Sequence, residues 1–188
     1  MTPCAQKAPT LRFVQPDESL RGEIEAFAQS FYAAGEDTIN GSGGLDFFPS
    51  FATWLRYLRR VEAGEEEGLV PSVVRFAQAE GGRLLGVVDI RPALPAEKLH
   101  FGHVGYATAP PYRGRGVGSA MLAWALAQLR GAGVGDIIAC CYADNLPSRR
   151  VLEKGGFARR TARTEEETGK RILEYRHSET IKRSGKDD

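Results

Sequence analysis

The chain has 188 residues, 42% of them apolar and 26% charged, the balance of an ordinary soluble globular domain. Lys and Arg total 25 against 24 Asp and Glu, a formal charge of +1. That lacks the basic excess that phosphate neutralisation demands, and it argues against nucleic acid as the main partner. Residues 1–9 carry no apolar core of a secretory signal, and no stretch reaches membrane-spanning length. Cys4, Cys140 and Cys141 form neither a disulfide framework nor a zinc spacing. The expectation is a cytoplasmic protein in a reducing compartment, with no membrane partner and no metal, and one domain over 10–178 between flexible ends at 1–9 and 179–188.

Leu11–Val14 predicts a short strand, and Pro16-Asp17 a helix start, with Leu20, Ile24, Phe27 and Phe31 at helical spacing. A glycine-rich loop, Asn40-Gly41-Ser42-Gly43-Gly44, leads to Phe47-Phe48. A second helix then follows Pro49-Ser50, with Phe51, Trp54, Leu55, Leu58 and Val61 on one face and arginines on the other. Residues 73–77 and 84–90 read as two strands joined by a hairpin turn at Glu80-Gly81-Gly82. A third sheet element spans 103–108 and stops at Pro110-Pro111, because proline cannot donate to a ladder. From 116 to about 130 the chain is helical and apolar on several sides (Met121, Leu122, Trp124, Leu126, Leu129), which predicts a largely buried helix. Residues 137–142 show no alternation, so burial on both faces is expected, and Cys140 and Cys141 read as small packed hydrophobes or as a catalytic thiol. A helix over 147–154 and strands over 157–164 and 171–177 complete the pattern.

The segment from Tyr106 to Ser119 carries the chemistry. A strand ends, an arginine- and glycine-rich turn follows, and a helix begins. The first-turn N–H groups of such a helix are unpaired and its dipole adds positive potential, so the arrangement attracts an anion. Glycines 114, 116 and 118 let a phosphate approach the backbone, and Arg113 and Arg115 can add charge-assisted contacts. The nucleotide P-loop is excluded because its Gly-Lys-Ser/Thr is missing, and the dinucleotide fingerprint fails at Ser119. A glycine-rich turn that serves only as a connection is the alternative.

Arg113-Gly114-Arg115-Gly116-Val117-Gly118 resembles the pyrophosphate signature Arg/Gln-x-x-Gly-x-Gly/Ala of the GNAT superfamily of N-acetyltransferases. Asn145 before the next helix, and Gly156-Phe157 after it, match the second hallmark. The resemblance covers roughly 84–177. More narrowly, Gly41-Ser42-Gly43-Gly44, Val70-Pro71-Ser72, Asp89-Ile90-Arg91, Gly102-His103-Val104-Gly105-Tyr106 and Asp144-Asn145 resemble one little-characterised bacterial branch of predicted acetyltransferases.

The resemblance implies an α/β (α+β) GNAT fold: a mixed central sheet of about six to seven strands, helices on both faces, and a splay between the two central strands. It implies an acetyl-CoA-dependent N-acetyltransferase, in which an amine of a small molecule or peptide attacks directly, and a possible homodimer. By the same analogy Tyr106, Ala107 and Thr108 pair with the pantetheine arm. The backbone of Arg113, Gly114, Arg115, Gly116, Val117, Gly118 and Ser119 cradles the pyrophosphate, and Asn145 and Ser148 face the arm. The family's usual acid, a Tyr seven residues after the Asn, is here Leu152. Tyr142 or Ser148 is a candidate substitute, and His103 or Asp89 a candidate base. For these last two the alternative is a structural histidine and a carboxylate paired with Arg91. The acceptor pocket is expected around Asp46, Phe47, Phe48 and Trp54, with core packing as the other reading of Trp54. Two further readings are another acyl donor or a hydroxyl acceptor, and a coenzyme A-binding sensor or subunit without catalysis, which Leu152 keeps open.

Overall fold

The computed structural model describes residues 10–178, so the expectations for Cys4 and for the two ends, 1–9 and 179–188, lie outside it. Strands β1 (Leu11–Val14), β2 (Val73–Ala79), β3 (Leu84–Ile90) and β4 (Val104–Thr108) make an antiparallel sheet in that order. Strands β5 (Asp136–Tyr142), β6 (Ala158–Thr164) and β7 (Arg171–Ser178) make a second antiparallel sheet, ordered β5-β7-β6. The helices are α1 (Arg21–Tyr32), α2 (Phe51–Ala63), α3 (Val117–Gly131) and α4 (Leu146–Lys154). This is a mixed α+β architecture, with the seven strands of the described residues divided between two sheets. Among the described residues no helix is long and apolar enough to cross a membrane.

Local chemistry starts and stops these helices. The Asp17 carboxylate accepts the N–H groups of Ser19 and Leu20 at 2.8 and 3.3 Å and opens the turn that leads into α1. Ser50 Oγ accepts the Thr53 N–H at 3.3 Å at the head of α2, and Gly64 closes that helix in the left-handed region. Phe51, Trp54, Leu55, Leu58 and Val61 are buried along one stripe, as their spacing predicts. The first four of these join Phe27 and Phe31 of α1 against Phe76 and Val87, so α1 and α2 cover one face of the first sheet.

α3 packs on the opposite face through Val117, Met121, Leu122, Ala125 and Leu129, together with α4 and the second sheet. Covered from both sides, β3 buries all seven of its residues. Leu85 is an extra residue in that strand, since Ala77 pairs with Gly86 and Gln78 with Leu84. The expectation that α3 is buried on several sides is met only along the stripe. Trp124 and Leu126 are half-buried, and Trp124 stacks on Phe13 of β1 with ring centroids 4.6 Å apart.

β4 and β5 lie in different sheets, and no ladder joins them. At one end they are linked by hydrogen bonds through His103, which precedes β4 rather than beginning it. There the His103 N–H donates to the Ile138 carbonyl at 2.7 Å, and His103 Nδ1 accepts the Ile138 N–H at 3.0 Å. Beyond this point the sheets part. β5 accordingly buries Ile137, Ile138 and Ala139 but leaves Cys140, Cys141 and Tyr142 half-buried, not covered on both faces throughout as its apolar run predicts.

Candidate active site

A cleft of about 560 Å³ opens where the sheets separate. Its walls are Tyr106, Ala107 and Thr108 of β4, the glycine-rich turn with the head of α3, and Asn145, Ser148 and Val151 at the start of α4. The segment after α1 closes the remaining side with Glu36, Thr38 and Asn40. The volume falls within the usual range for small-molecule sites.

The turn owes its shape to two glycines. Gly114 and Gly116 hold φ of 74° and 82°, a region that costs other L-residues about 1–2 kcal/mol each. Gly116 is the N-cap of α3, and Ala120 makes the first helical bond, to the Gly116 carbonyl at 3.0 Å. Among the described residues the backbone N–H groups of 114–119 donate to no protein acceptor, and Gly114, Gly116, Val117, Gly118 and Ser119 line the cleft. Five of these six residues thus set free amides along the cleft at the positive end of a fifteen-residue helix, an arrangement suited to a phosphate-bearing group. The open edge of β4 beside them offers backbone groups to an extended ligand. These features fit the pyrophosphate and arm of coenzyme A.

Asn145 caps α4, its Oδ1 accepting the Ser148 N–H at 3.0 Å. The hydroxyls of Ser148 and Tyr106 lie 3.2 Å apart and connect α4 to β4 across the cleft. Burial pushes the Tyr106 phenol up to about 12, so it stays protonated at neutral pH and can donate a hydrogen bond.

Other sequence-derived candidates lie elsewhere. Arg113 lines the cleft but is bound to Glu36. Arg115 sits over the Tyr112 ring, 5.7 Å from its centroid, beside a separate hollow near Arg83 and Glu80. His103 is buried outside the cleft lining, and burial lowers its pKa. Asp89 is also buried outside it, with Oδ2 on Arg91 at 2.6 Å, and burial raises its pKa against the pull of Arg91. The Tyr142 hydroxyl donates to Glu165 at 3.1 Å, away from the cleft. Burial pushes the Cys140 thiol up to about 11, which makes it a poor nucleophile.

None of Asp46, Phe47, Phe48 and Trp54 lines the cleft. Trp54 is wholly buried, its indole N–H on the Ser42 carbonyl at 3.0 Å, so core packing accounts for it. Phe48 packs on Tyr57 with ring centroids 4.8 Å apart, and Phe47 is exposed. Instead the cleft recruits Phe31, Glu36, Thr38 and Asn40, with Arg150 and Lys154 on α4. The last two share the helical face of Pro147 and Val151, a periodicity present in the sequence. Phe31 lies on the apolar stripe of α1, whereas Glu36, Thr38 and Asn40 depend on how the loop after that helix folds back, which no local pattern announces.

The sequence profile of the acetyltransferase (GNAT) family matches residues 44–157, more than half of the chain. The protein belongs to the GNAT family of acetyltransferases and is therefore an acyltransferase. No curated protein matches it by sequence. Among solved structures it is similar to the ribosomal-protein-S5-alanine acetyltransferase from Vibrio fischeri, with TM-score 0.68 at 15% identity, covering 91% of this chain and 93% of that one. It is likewise similar to an acetyltransferase of the GNAT family from Streptococcus pneumoniae, with TM-score 0.65 at 16% identity over 90% and 99% of the two chains. A third relative is yncA from Salmonella typhimurium, determined with its cofactor acetyl-CoA, with TM-score 0.64 at 14% identity over 92% and 94%. At these identities the likeness is one of fold.

Proposed function

We propose that this protein is an acetyl-CoA-dependent N-acetyltransferase that transfers the acetyl group to an amine of a small molecule or peptide by direct attack. The observation that carries the reading is the run of unpaired amides at 114–119, placed at the head of a cleft whose side is the open edge of β4. Acetyl-CoA is the acetyl donor of the family, and it accompanies the yncA structure.

In this reading the amides of 114–119 hold the pyrophosphate, and Tyr106, Ala107 and Thr108 present main-chain groups to the arm. An N–H near Thr108 supports negative charge on the carbonyl oxygen during attack. Asn145 lines the cleft, and with its oxygen engaged in the capping bond its amide nitrogen supplies a donor for the same ligand. Tyr106 and Ser148 are the hydroxyl pair available to hold a proton beside the leaving group. His103 and Asp89 lie outside the cleft lining, so a direct role for either as base finds no support in their placement. The S5-alanine acetyltransferase acts, by its name, on a ribosomal protein, which favours including peptides with a free N-terminus among the acceptors to be screened.

One observation favours a second reading, a coenzyme A-binding protein without catalysis. Leu152 is 1% exposed within the core and offers no proton at the position where the family usually carries its acid.

Calorimetric titration with acetyl-CoA, wild type beside Gly116→Glu, tests the first reading. Saturable one-site binding that the variant loses supports the cradle, and turnover on a panel of polyamines, amino acids and short peptides then separates enzyme from sensor. A wild type that binds no acetyl-CoA overturns both readings.

A further inference from the structure

Arg113 occupies the fixed first position of the turn signature, where a phosphate contact is the simplest expectation. Its side chain is bound within the protein instead. Nη1 and Nη2 donate to the two carboxylate oxygens of Glu36 at 2.5 and 2.7 Å, and Nε donates to the Thr108 carbonyl at 3.2 Å. The guanidinium also lies 5.7 Å from the centroid of the Phe31 ring. All three nitrogens therefore have protein acceptors, and one side chain connects the end of β4 to the end of α1.

Glu36 is itself held in place. Its N–H donates to the Phe31 carbonyl and the Gly35 N–H to the Tyr32 carbonyl, both at 3.0 Å, the paired bonds of a Schellman ending. From Glu36 the chain crosses the sheet. Ile39 is buried, Gly41 rests against the backbone of Gly105 and Tyr106, and the Ser42 carbonyl receives the Trp54 indole. Between these anchors Thr38 and Asn40 line the cleft.

We infer that Arg113 and Glu36 form a strap that positions the 36–42 segment as the acceptor-side wall of the cleft, an inference that rests on the acetyltransferase reading of that cleft. In this arrangement Arg113 is a positioning residue for the acceptor rather than a ligand of the cofactor phosphates. The pair is partly exposed, with side-chain accessibilities of 47% and 36%, so its contribution to global stability is small. Its effect is on geometry. A bidentate fork fixes both distance and orientation, and placement errors of about 1 Å at a reacting centre cost rate steeply.

Three measurements on Glu36→Ala, Arg113→Ala, the double variant and Glu36→Asp test this. In the unliganded protein, amide hydrogen exchange across 36–42 should rise about fivefold or more in each single variant, with no further rise in the double. The acetyl-CoA dissociation constant should stay within about twofold of wild type in both single variants. With the best amine from the acceptor panel, its KM should rise about five- to tenfold while the KM for acetyl-CoA is unchanged, and Glu36→Asp should recover part of the loss. Unchanged exchange, or an Arg113→Ala that loses about tenfold or more in acetyl-CoA affinity while Glu36→Ala does not, overturns the strap. If the wild type binds no acetyl-CoA, the acetyltransferase reading fails first, and the exchange measurement alone judges the strap.

Discussion

His103 grips Ile138 twice, through its backbone N–H and through Nδ1, and this double contact is the hydrogen-bonded link between the closed ends of β4 and β5. An Nδ1 that accepts a backbone N–H carries no proton, so the bond exists only with a neutral ring. Burial lowers the His103 pKa, nearby Asp136 opposes that shift, and Arg91 adds to it.

The consequence is a stability that depends on pH in a defined direction. With its folded pKa below the unfolded value of 6.5, His103 contributes fully above that pH. As pH falls below it, the unfolded chain takes up the proton first and stability is lost, until the folded pKa is passed. We expect the urea midpoint to decline between about pH 7.5 and 5.5. His103→Asn, whose side-chain oxygen can accept the same N–H without titrating, should flatten that decline. Parallel pH profiles for the two proteins would show that His103 is not the titrating link.

Asp89 and Arg91 make a second test of the same region. Asp89 Oδ2 lies 2.6 Å from Arg91, whose other Nη donates to the Gly102 carbonyl at 3.0 Å. Oδ1 rests against Gly105, where any Cβ would come within 2.6 Å of it. Arg91→Met should destabilise by about 3 kcal/mol at pH 7, since it strands a buried carboxylate. Because burial already places the folded Asp89 pKa above its ordinary 3.8, the deficit should shrink as pH falls through that raised value and the folded state takes up the proton. Asp89→Asn in the Arg91→Met background should restore most of the stability at pH 7. A double variant as unstable as Arg91→Met alone would assign the loss to the Gly102 contact.

What the sequence made legible follows from range. The helix stripes of α1 and α2, the turn at 80–82 and the glycine-rich head of α3 are local patterns, and each lies where its residues put it. The stretch from Tyr106 to Ser119 bounds the cleft for the same reason: strand, turn and helix are consecutive in the chain. The remaining side of the cleft was not legible. Trp54 reads equally as core or pocket from an apolar stripe, and only the fold-back of Ser42 onto its indole decides for the core. Glu36, Thr38 and Asn40 reach the cleft because Gly41 packs on Gly105, 64 residues away by the numbering of the pair. His103 likewise has the composition of a base, and its partner Ile138 lies in another strand altogether.

Leu152 offers the last test, because its place in the core bears on whether an acid can be restored there. The side chain is 1% exposed in the cluster that contains Val117, Met121, Leu122 and Phe157. The helix on which it sits is also tightly packed: a Cβ on Gly155, one turn further on, would come within 2.6 Å of Leu122. Interiors packed at this density do not absorb a larger ring without displaced rotamers or backbone, at about 1–3 kcal/mol. For a chain of this length that corresponds to a fall in melting temperature of roughly 2–4 °C per kcal/mol. We therefore expect Leu152→Tyr to melt lower than wild type and to gain no activity on the best amine of the panel, since the added hydroxyl is directed into apolar surroundings. Thermal melts beside single-turnover acetyl transfer check this. A variant that melts with the wild type and transfers faster would show that position 152 reaches the cleft, and that its leucine, rather than its placement, is what withholds the proton.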